Sequence, residues 1–440
     1  MYTKIIEYLE NKNISIVGYG KEGKSTYNFI RKYLPNQKLT IIDNNDKLIE
    51  NNPELRKDEN LDFVLGIDAL NNLKIYDVII KAPGVKFKDL DISEFKDKIT
   101  SELDLALRFF KNNIIGITGT KGKSTTTSLI YKVFKEQNYD AYLLGNIGIP
   151  IFDYIDQINE KSKLIIEMGA PQLEFITASP HISIVLNLFE EHLDYFGTKD
   201  KYFLSKMNVF KYQNENDYGF YLGSNETLNN YILKGNYKSK LYNISDMKID
   251  NDFITLNNKK LYNINDERLL LGKHNLSNIM FVLYLSEVLG LDLNKTIKTI
   301  NTFEGLEHRM EYVGIFNGIK FYNDAIATIP DACINACETL NPDTLIFGGM
   351  DRGIDYSYLI EYFNKSNISN FICMPDTGYK ISDKLKNKNV YKIENLKDAV
   401  AKAKEVTKKV CVMSPAAPSY NAFKNFEEKG TLYKKYIKEG

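Results

Sequence analysis

Short apolar runs separated by longer amphipathic stretches mark the first hundred residues. Three of them contain mainly β-branched residues and stop at Gly, Pro or a polar residue: ISIVGYG (14–20), LTIIDNN (39–45) and DVIIKAPGV (77–85). Such runs are typical of parallel strands buried on both faces, and the stretches between them are long enough for crossover helices. The pattern predicts an α/β domain with a parallel sheet over residues 1–101.

The same alternation continues through the rest of the chain. A second set of runs predicts a central domain over residues 102–302, namely NIIGITGT, KLIIEMG and ISIVLNL. A third set predicts a C-terminal α/β domain over residues 303–440, namely IKFYNDAIA, DTLIFGGM, NFICMPDTG and KVCVMSPAAPS. Open α/β sheets bind ligands at the carboxyl ends of their strands, so three sheets offer three sets of loops to a shared cleft.

One stretch interrupts the alternation. Between about Tyr212 and Arg268 the apolar runs become short and rich in Asn, as in DNDFITLNNKKLYNI. Short polar strands separated by turns are typical of antiparallel pairing. We therefore expect an antiparallel patch appended to the central sheet.

Composition narrows the class of protein. The 440 residues are 43% hydrophobic and 26% charged, and 57 basic side chains balance 57 acidic ones. Zero net charge argues against a broad nucleic-acid surface, which requires an excess of Lys and Arg. The N-terminus lacks a signal-peptide core, and no apolar run approaches the ~20 residues of a membrane helix. We expect a cytoplasmic protein without nucleic-acid or membrane partners.

The four cysteines lie in the last quarter of the chain and form no CxxC pair: Cys333, Cys337, Cys373 and Cys411. Cysteines that lack metal-ligand or disulfide spacing are usually small, reduced and partly buried side chains. We expect that role for all four.

The tetrapeptide GKST occurs twice, and each copy follows a predicted strand. The first, Gly18–Ser25, fits the strict phosphate-loop pattern G-x-x-x-x-G-K-[ST]. It also reads Gly18-x-Gly20-x-x-Gly23, and Asp43 ends the next strand twenty residues after Gly23. That spacing is typical of a Rossmann-like dinucleotide turn, in which backbone amides face a pyrophosphate and the acid faces a ribose. This segment offers few further carboxylates for magnesium.

The second copy, Thr118–Thr125, does not fit the strict pattern, but more residues suited to bind phosphate and magnesium accompany it in the sequence. Lys123 can reach the β- and γ-phosphates, and the hydroxyl of Ser124 or Thr125 can bind Mg²⁺. Glu167 ends the next apolar strand, and His192 follows the one after it. We therefore assign ATP to the second loop and interpret the first as a dinucleotide-type turn. Of the four histidines, we expect His181 to be structural, whereas His192, His274 and His308 lie in motif-like loops.

The segment TGTKGKST resembles the shortened phosphate loop of the Mur ligase family, the ATP-dependent amide-bond ligases of peptidoglycan synthesis. Further matches follow in order along the chain: GNIG, EMGAPQLE, NLFEEHLDYFG, GKHNLSN, GLEHRMEYV, NDAIATIP, GGMDRGIDY and SPAAPSYNAFKNFEEKG. Within the family the chain is most similar to the glutamate-adding enzymes. The resemblance implies three α/β domains: a Rossmann-like N-terminal domain, a P-loop-type ATP-binding domain and a Rossmann-like C-terminal domain.

The resemblance also implies the reaction and its ATP site. ATP would phosphorylate the alanyl carboxylate of UDP-N-acetylmuramoyl-L-alanine, and the amine of glutamate would attack the acyl phosphate. The implied catalytic residues are Lys123, Glu167, His192 and Lys206, the last matching a lysine that is carbamylated in the family. Magnesium would bind Ser124, Glu167, His192 and Lys206. The implied ATP contacts are Gly119, Thr120, Lys121, Gly122, Lys123, Ser124, Thr125, Asn275, Asn278, Arg309 and Asp324.

Two further sets of residues would bind the other substrates of a monomeric enzyme. The UDP-substrate set is Gly18, Tyr19, Gly20, Gly23, Lys24, Ser25, Asp43, Pro83, Gly84 and Asn146. The glutamate set is Thr328, Arg352, Ser419 and Phe426, with Arg352 in place of the lysine that is common there. Arginine and lysine can both clamp a carboxylate.

Two departures from the family pattern concern the acceptor amino acid. E[LM]SSFQLE appears as EMGAPQLE, which lacks both serines and the aromatic residue, and the Ser, Lys and final Asn of NDSKATN are replaced by Ala325, Ile326 and Ile329. D-glutamate is the default acceptor, and L-glutamate stays an alternative. Folylpolyglutamate synthesis is disfavoured because a glycine-loop domain precedes the ATP domain. An inactive nucleotide-binding homologue is disfavoured by the retained Lys123, Glu167, His192 and Arg309.

Overall fold

The computed structural model describes residues 2–272 and 274–439, without the side chain of His274. The described chain forms two compact units. The first contains the residues up to 265 together with 276–299, and the second contains the rest. Two of the three divisions fall within helices, α10 (His274–Leu289) and α11 (Leu293–Thr302), and the third lies between residues 265 and 266, outside any helix.

The first unit begins with a five-stranded, all-parallel sheet in the order β3-β2-β1-β4-β5. Its strands are β1 (Ile14–Val17), β2 (Leu39–Asp43), β3 (Leu61–Leu65), β4 (Val78–Lys81) and β5 (Ile99–Thr100). Its helices are α1 (Thr3–Leu9), α2 (Lys21–Tyr33) and α3 (Leu48–Asn51). Every residue of β1 and β4 is buried, as expected for central strands of a sheet covered on both faces.

A second parallel sheet in the same unit has six strands in the order β11-β10-β9-β6-β8-β7. The strands are β6 (Ile114–Thr118), β7 (Ala141–Gly145), β8 (Lys163–Glu167), β9 (Ile182–Val185), β10 (Tyr218–Tyr221) and β11 (Lys240–Asn243). The helices are α4 (Glu102–Phe110), α5 (Lys123–Glu136), α6 (Ala170–Leu173), α7 (Leu193–Phe196), α8 (Lys199–Lys211) and α9 (Glu226–Lys234). One apolar cluster extends across both sheets, with the rings of Phe29 and Phe152 4.4 Å apart.

The expected antiparallel patch is smaller than predicted and does not extend the central sheet. A separate three-stranded antiparallel sheet contains β12 (Lys248–Asp250), β13 (Phe253–Leu256) and β14 (Lys259–Asn263). By contrast, β10 and β11 pair in parallel with the central sheet. The reason is α9, which connects β10 to β11 and makes them a crossover unit rather than a hairpin.

The second unit contains a six-stranded sheet in the order β15-β16-β20-β17-β18-β19. Its strands are β15 (Glu311–Phe316), β16 (Ile319–Asn323), β17 (Thr344–Phe347), β18 (Asn370–Cys373), β19 (Asn389–Lys392) and β20 (Val410–Met413). Only β15 is antiparallel to its neighbour in this sheet. The helices are α12 (Pro330–Leu340), α13 (Ser357–Lys365), α14 (Thr377–Ser382), α15 (Leu396–Val406) and α16 (Phe426–Lys438).

The predicted α/β class with parallel sheets is confirmed. All four cysteines are buried and free of disulfide bonds, as predicted. Among the described residues, no helix is long and apolar enough to cross a membrane.

Candidate active site

The second GKST copy forms a tight loop between β6 and α5. Gly119 has a φ of 146° and Gly122 has a φ of 84°, a conformation that favours glycine at both ends of the loop. Space is equally restricted, because a Cβ at Gly119 would lie 2.9 Å from Leu186 Cβ. At Gly122 the Cβ would lie 2.7 Å from Asn278 Oδ1, which places predicted ATP residue Asn278 beside the loop.

Asn187, which the sequence analysis missed, braces this loop. Its Oδ1 accepts hydrogen bonds from the backbone amides of Thr120 at 3.1 Å and Lys121 at 2.8 Å. Its Nδ2 donates to the carbonyl oxygen of Lys121 at 3.0 Å. Asn187 follows β9, the strand that pairs with β6, so its position at the carboxyl end of the sheet is the signal that identifies it.

Lys123 begins α5 and folds back over the loop. Its Nζ donates to the carbonyl oxygens of Gly119 and Thr120, each at 2.9 Å. Ser124 is half-buried and Thr125 is buried in the first turn of the helix. A glycine-rich loop with a lysine at a helix N-terminus is a phosphate-binding arrangement.

Glu167 ends β8 directly beside the phosphate loop, because it is paired with Ile117 of β6. The carboxylate is 1% exposed, and its Oε1 accepts from Asn146 Nδ2 at 2.7 Å. Its Oε2 is also buried and has no hydrogen-bond partner among the described residues. A buried carboxylate oxygen without a donor fits a cation ligand.

Lys206 on α8 lies under the loop. Its side chain is 1% exposed, its Nζ donates to Gly119 O at 2.8 Å, and it lies 4.8 Å from the Tyr202 ring centroid. Burial, reinforced by the neighbouring charge of Lys123, lowers the pKa of Lys206 well below its ordinary value. This burial distinguishes Lys206 from an ordinary exposed lysine on a helix.

His192 lies near the same tyrosine, Tyr202, with the two ring centroids 5.6 Å apart and the ring planes tilted by 56°. It adopts φ 57° and precedes α7, and its side chain is 56% exposed. Its neighbour Glu191 forms an ion pair with Lys121. Within the described part of the chain, no three His, Cys, Asp or Glu side chains cluster as a ready metal site.

The first GKST copy lies beside a different cavity. The loop between β1 and α2 has Gly18 at φ 93°, and a Cβ at Gly23 would lie 2.0 Å from Gly18 O. Asp43 Oδ2 accepts from the amide of Tyr19 at 2.8 Å. The close approach of loop and helix is the packing that a dinucleotide-type turn requires.

The cavity has a volume of about 650 Å³ and lies in the first unit, between the first sheet and the loop after β7. Six predicted UDP-substrate residues line it: Gly18, Gly20, Asp43, Pro83, Gly84 and Asn146. Four others do not line it: Tyr19, Gly23, Lys24 and Ser25. Lys24 is exposed on α2, whereas Ser25 is buried. Lining residues that the sequence analysis missed include Lys21, Glu22, Asn44 and Lys86.

The second unit contains the other predicted ATP residues. Asp324 follows β16, is 4% exposed, and accepts from Ser414 Oγ at 2.7 Å and from Met310 N at 3.1 Å. Burial raises the pKa of Asp324 to about 7, although the nearby Arg309 opposes the rise. Arg309 is exposed, and Asn275 is buried with its Nδ2 bonded to Leu271 O at 2.6 Å.

The predicted glutamate residues also lie in the second unit. Ser419 is 2% exposed, and its Oγ has no hydrogen-bond partner among the described residues. Thr328 and Phe426 are half-buried, and Phe426 lies 6.3 Å from the His308 ring. Arg352 is exposed in the loop between β17 and α13.

The other two histidines in motif-like loops are His274 and His308. His308 is buried, and the side chain of His274 lies outside the described part of the chain.

The fold and the site define a nucleotide-dependent α/β enzyme. A phosphate loop with a buried carboxylate beside it lies at the carboxyl end of one parallel sheet, and a dinucleotide-type turn lies at the carboxyl end of another. Residues 117–286 match the Mur ligase middle domain, and residues 308–415 match the Mur ligase glutamate ligase domain. The UDP-N-acetylmuramoylalanine–D-glutamate ligase of Clostridium kluyveri is 30% identical over an aligned length of 455 positions including gaps, which covers 98% of each chain. The Clostridium botulinum ligase of the same name is 30% identical over an aligned length of 461 positions including gaps, which covers 99% of this chain and 98% of that one.

Solved structures share the fold. The UDP-N-acetylmuramate–alanine ligase of Thermotoga maritima aligns with a TM-score of 0.57 at 17% identity, over 98% of this chain and all of that one. The MurF ligase of the same organism in complex with ADP aligns with a TM-score of 0.56 at 17% identity, over 92% and 96% of the two chains. The chain belongs to the Mur ligase family. It is an ATP-dependent ligase that forms amide bonds in peptidoglycan synthesis.

Proposed function

We propose that this ligase adds glutamate, D-glutamate by default, to UDP-N-acetylmuramoyl-L-alanine in the cytoplasm. The observation that carries the proposal is Asn146, which lines the 650 Å³ cavity and also hydrogen-bonds Glu167 beside the phosphate loop. A substrate with its nucleotide in the cavity would therefore extend its acyl end toward the ATP-binding loop. The 30% identity to D-glutamate-adding enzymes over the full chain supports the same substrates.

The reaction needs positioning and charge neutralisation rather than a covalent enzyme intermediate. The alanyl carboxylate oxygen attacks the γ-phosphorus of ATP, and the bond to the bridging oxygen breaks to release ADP. The glutamate amine then attacks the acyl carbon and loses a proton, and phosphate leaves with the electrons of the C–O bond. Lys123 and the amides of the phosphate loop would hold the β- and γ-phosphates through these steps.

Magnesium fits the first unit's site because Glu167 Oε2 is buried without a donor among the described residues. Ser124, Glu167, His192 and a carbamylated Lys206 would hold the ion. Bound there, it would neutralise phosphate charge. Carbamylation would convert Lys206 from a cation into a carboxylate-like anion, and a buried amine with a depressed pKa is suited to react with carbon dioxide.

Glutamate would bind in the second unit. The hydroxyl of Ser419, which has no hydrogen-bond partner among the described residues, and the exposed guanidinium of Arg352 are groups that a dicarboxylate could engage. Thr328 and Phe426 complete the predicted pocket. We propose a monomer, with ATP, UDP-N-acetylmuramoyl-L-alanine and glutamate as its small-molecule partners.

The test is phosphate release from ATP in the presence of UDP-N-acetylmuramoyl-L-alanine, with D-glutamate and L-glutamate in parallel reactions. We expect turnover with D-glutamate that depends on both the acceptor and the UDP-substrate. Preference for L-glutamate would revise the acceptor while keeping the ligase chemistry. No turnover with either isomer would contradict the proposed substrates.

A further inference from the structure

A buried lysine lies where the first sheet meets helices of the central sheet. Lys81 is the last residue of β4, immediately before the turn that lines the cavity, and its side chain is 3% exposed. Three aromatic rings surround its ammonium group, with centroids 5.4–5.6 Å away: Phe87, Phe175 and Tyr195. Burial lowers its pKa to about 8, so the charged form still predominates at neutral pH.

The ammonium group decides where a neighbouring hydroxyl donates. Lys81 Nζ donates to Tyr195 OH at 2.8 Å, so the single phenolic proton must go to another acceptor. Two acceptors lie within reach, Val85 O at 2.9 Å and Glu174 Oε2 at 3.3 Å. Lys81 Nζ lies 3.8 Å from the same Glu174 oxygen and offsets its charge. The proton is therefore left for the shorter bond to Val85 O.

The two ends of this chain of hydrogen bonds belong to different parts of the predicted site. Val85 lines the cavity, and its side chain packs so closely on Gly18 that a Cβ there would lie 2.7 Å from it. Tyr195 lies on α7, the short helix that begins directly after His192. Lys86, another cavity residue, reinforces the connection by donating to Asp194 Oδ2 at 2.9 Å.

We propose that Lys81 is a positioning residue which, through the Tyr195 hydroxyl, couples the cavity wall at Val85 to the segment that carries His192. Without its charge, Glu174 attracts the phenolic proton and Val85 O loses its donor. The cavity wall and α7 then move independently. The effect of this coupling on catalysis rests on the proposed function. The hydrogen bonds themselves are present in the ligand-free protein.

The first test therefore uses the ligand-free protein. Lys81→Met removes the charge but keeps the length of the side chain, and Tyr195→Phe removes only the hydroxyl. Hydrogen exchange followed by mass spectrometry should show faster exchange in residues 82–87 and 192–197 together in both variants. Lys96→Met is the matched control, because Lys96 is exposed in the same unit and no side-chain hydrogen bond or ion pair to either segment is found for it in the described structure. It should leave both segments at the wild-type rate.

The second test measures binding and turnover. Each variant should raise the Kd for UDP-N-acetylmuramoyl-L-alanine about tenfold and lower kcat, while the KM for ATP changes less than about twofold. The double variant should equal the single ones, because both break the same connection. Variants with wild-type melting temperatures and unchanged exchange, or exchange that rises only in residues 82–87, would overturn the coupling. If the wild-type enzyme is inactive on this substrate, the proposed function is contradicted. The hydrogen-exchange result would still test the coupling, because it is measured on the ligand-free protein.

Discussion

Asn146 is bonded twice to Glu167: its side-chain Nδ2 donates to Oε1 at 2.7 Å, and its backbone amide donates to Glu167 O at 3.0 Å. Asn146 also lines the cavity of the first unit. One side chain thus fixes the orientation of the buried carboxylate and forms part of the wall that faces the proposed UDP-substrate. The orientation of Glu167 and the occupancy of the cavity are therefore physically linked.

Asn146→Ala should impair both functions of this residue. We expect a kcat lower by roughly 10- to 100-fold, a higher KM for the UDP-substrate and a higher magnesium requirement, because Oε1 of Glu167 loses its donor and the carboxylate can rotate. Initial rates of phosphate release over a magnesium titration provide the measurement.

Asn44→Ala is the matched control for Asn146→Ala. Asn44 lines the same cavity, and no contact with Glu167 is found for it in the described structure. We expect it to change only the KM for the UDP-substrate. An unchanged magnesium dependence in Asn146→Ala would show that this hydrogen bond does not position Glu167.

Substitution of one lysine in each GKST loop should distinguish the ligands that the two loops bind. Lys123→Ala should lower turnover on the order of 10²–10³-fold while leaving the Kd of the UDP-substrate within about twofold, because Lys123 lies at the phosphate loop and outside the cavity lining. Lys21→Ala should weaken binding of the UDP-substrate several-fold, since Lys21 lines the cavity. Calorimetric titration with ATP and with the UDP-substrate measures both effects.

Lys24→Ala is the control within the first loop. Its side chain is exposed on α2 and outside the cavity lining, so both affinities should stay within about twofold of wild type. Loss of ATP binding in Lys24→Ala would reverse the assignment of the two loops.

Lys206→Ala should be rescued by small carboxylates. Removing the buried amine also removes the proposed carbamate, so we expect turnover to fall about 100-fold and to recover partly with added formate or acetate. Lys211→Ala, on the exposed side of the same helix, should behave as wild type. An active Lys206→Ala enzyme, or an inactive one that no carboxylate restores, would count against the carbamate.

Much of the fold could be predicted from the sequence because buried parallel strands produce short, dense β-branched runs. ISIV and VIIK were recognisable for that reason, and both are fully buried. The strands Tyr218–Tyr221 and Lys240–Asn243 were assigned to an antiparallel patch, because short polar strands do not reveal the direction of their pairing. That direction is determined by the helix between them, Glu226–Lys234.

Site residues could be predicted where the order of the strands determines their position. They could not be predicted where helix rotation or side-chain packing determines it. Glu167 ends the strand that pairs with β6, so its place beside the phosphate loop follows from topology. Lys24 fitted a sequence pattern, but the helical rotation directs Lys21 rather than Lys24 toward the cavity. Lys81 was concealed inside an apolar run, and its partner Tyr195 is 114 residues away in sequence.

Lys429 should make the stability of the second unit depend on pH. It is 1% exposed on α16, its Nζ donates to Gly348 O at 2.8 Å, and burial lowers its pKa to about 7. An unfolded lysine titrates near 10.4. Between these two values the unfolded chain binds more protons than the native one, so the free energy of unfolding should rise with pH from about 7 to 10. As pH falls from about 10 to 7 that contribution is lost, and below pH 7 this lysine no longer changes the free energy of unfolding with pH.

Lys429→Met isolates this effect because it keeps the side chain's length and removes its charge. Loss of the donor to Gly348 O costs about 1 kcal/mol at every pH, so it shifts the curve without tilting it. The difference in unfolding free energy between wild type and variant should therefore change by up to about 1.4 kcal/mol per pH unit above pH 7, in favour of wild type as pH rises. Urea unfolding at several values between pH 6 and 9.5 measures the slope, with exposed Lys438→Met on the same helix as control. Parallel curves for wild type and Lys429→Met would show that the buried amine stays protonated, and the depressed pKa would then be wrong.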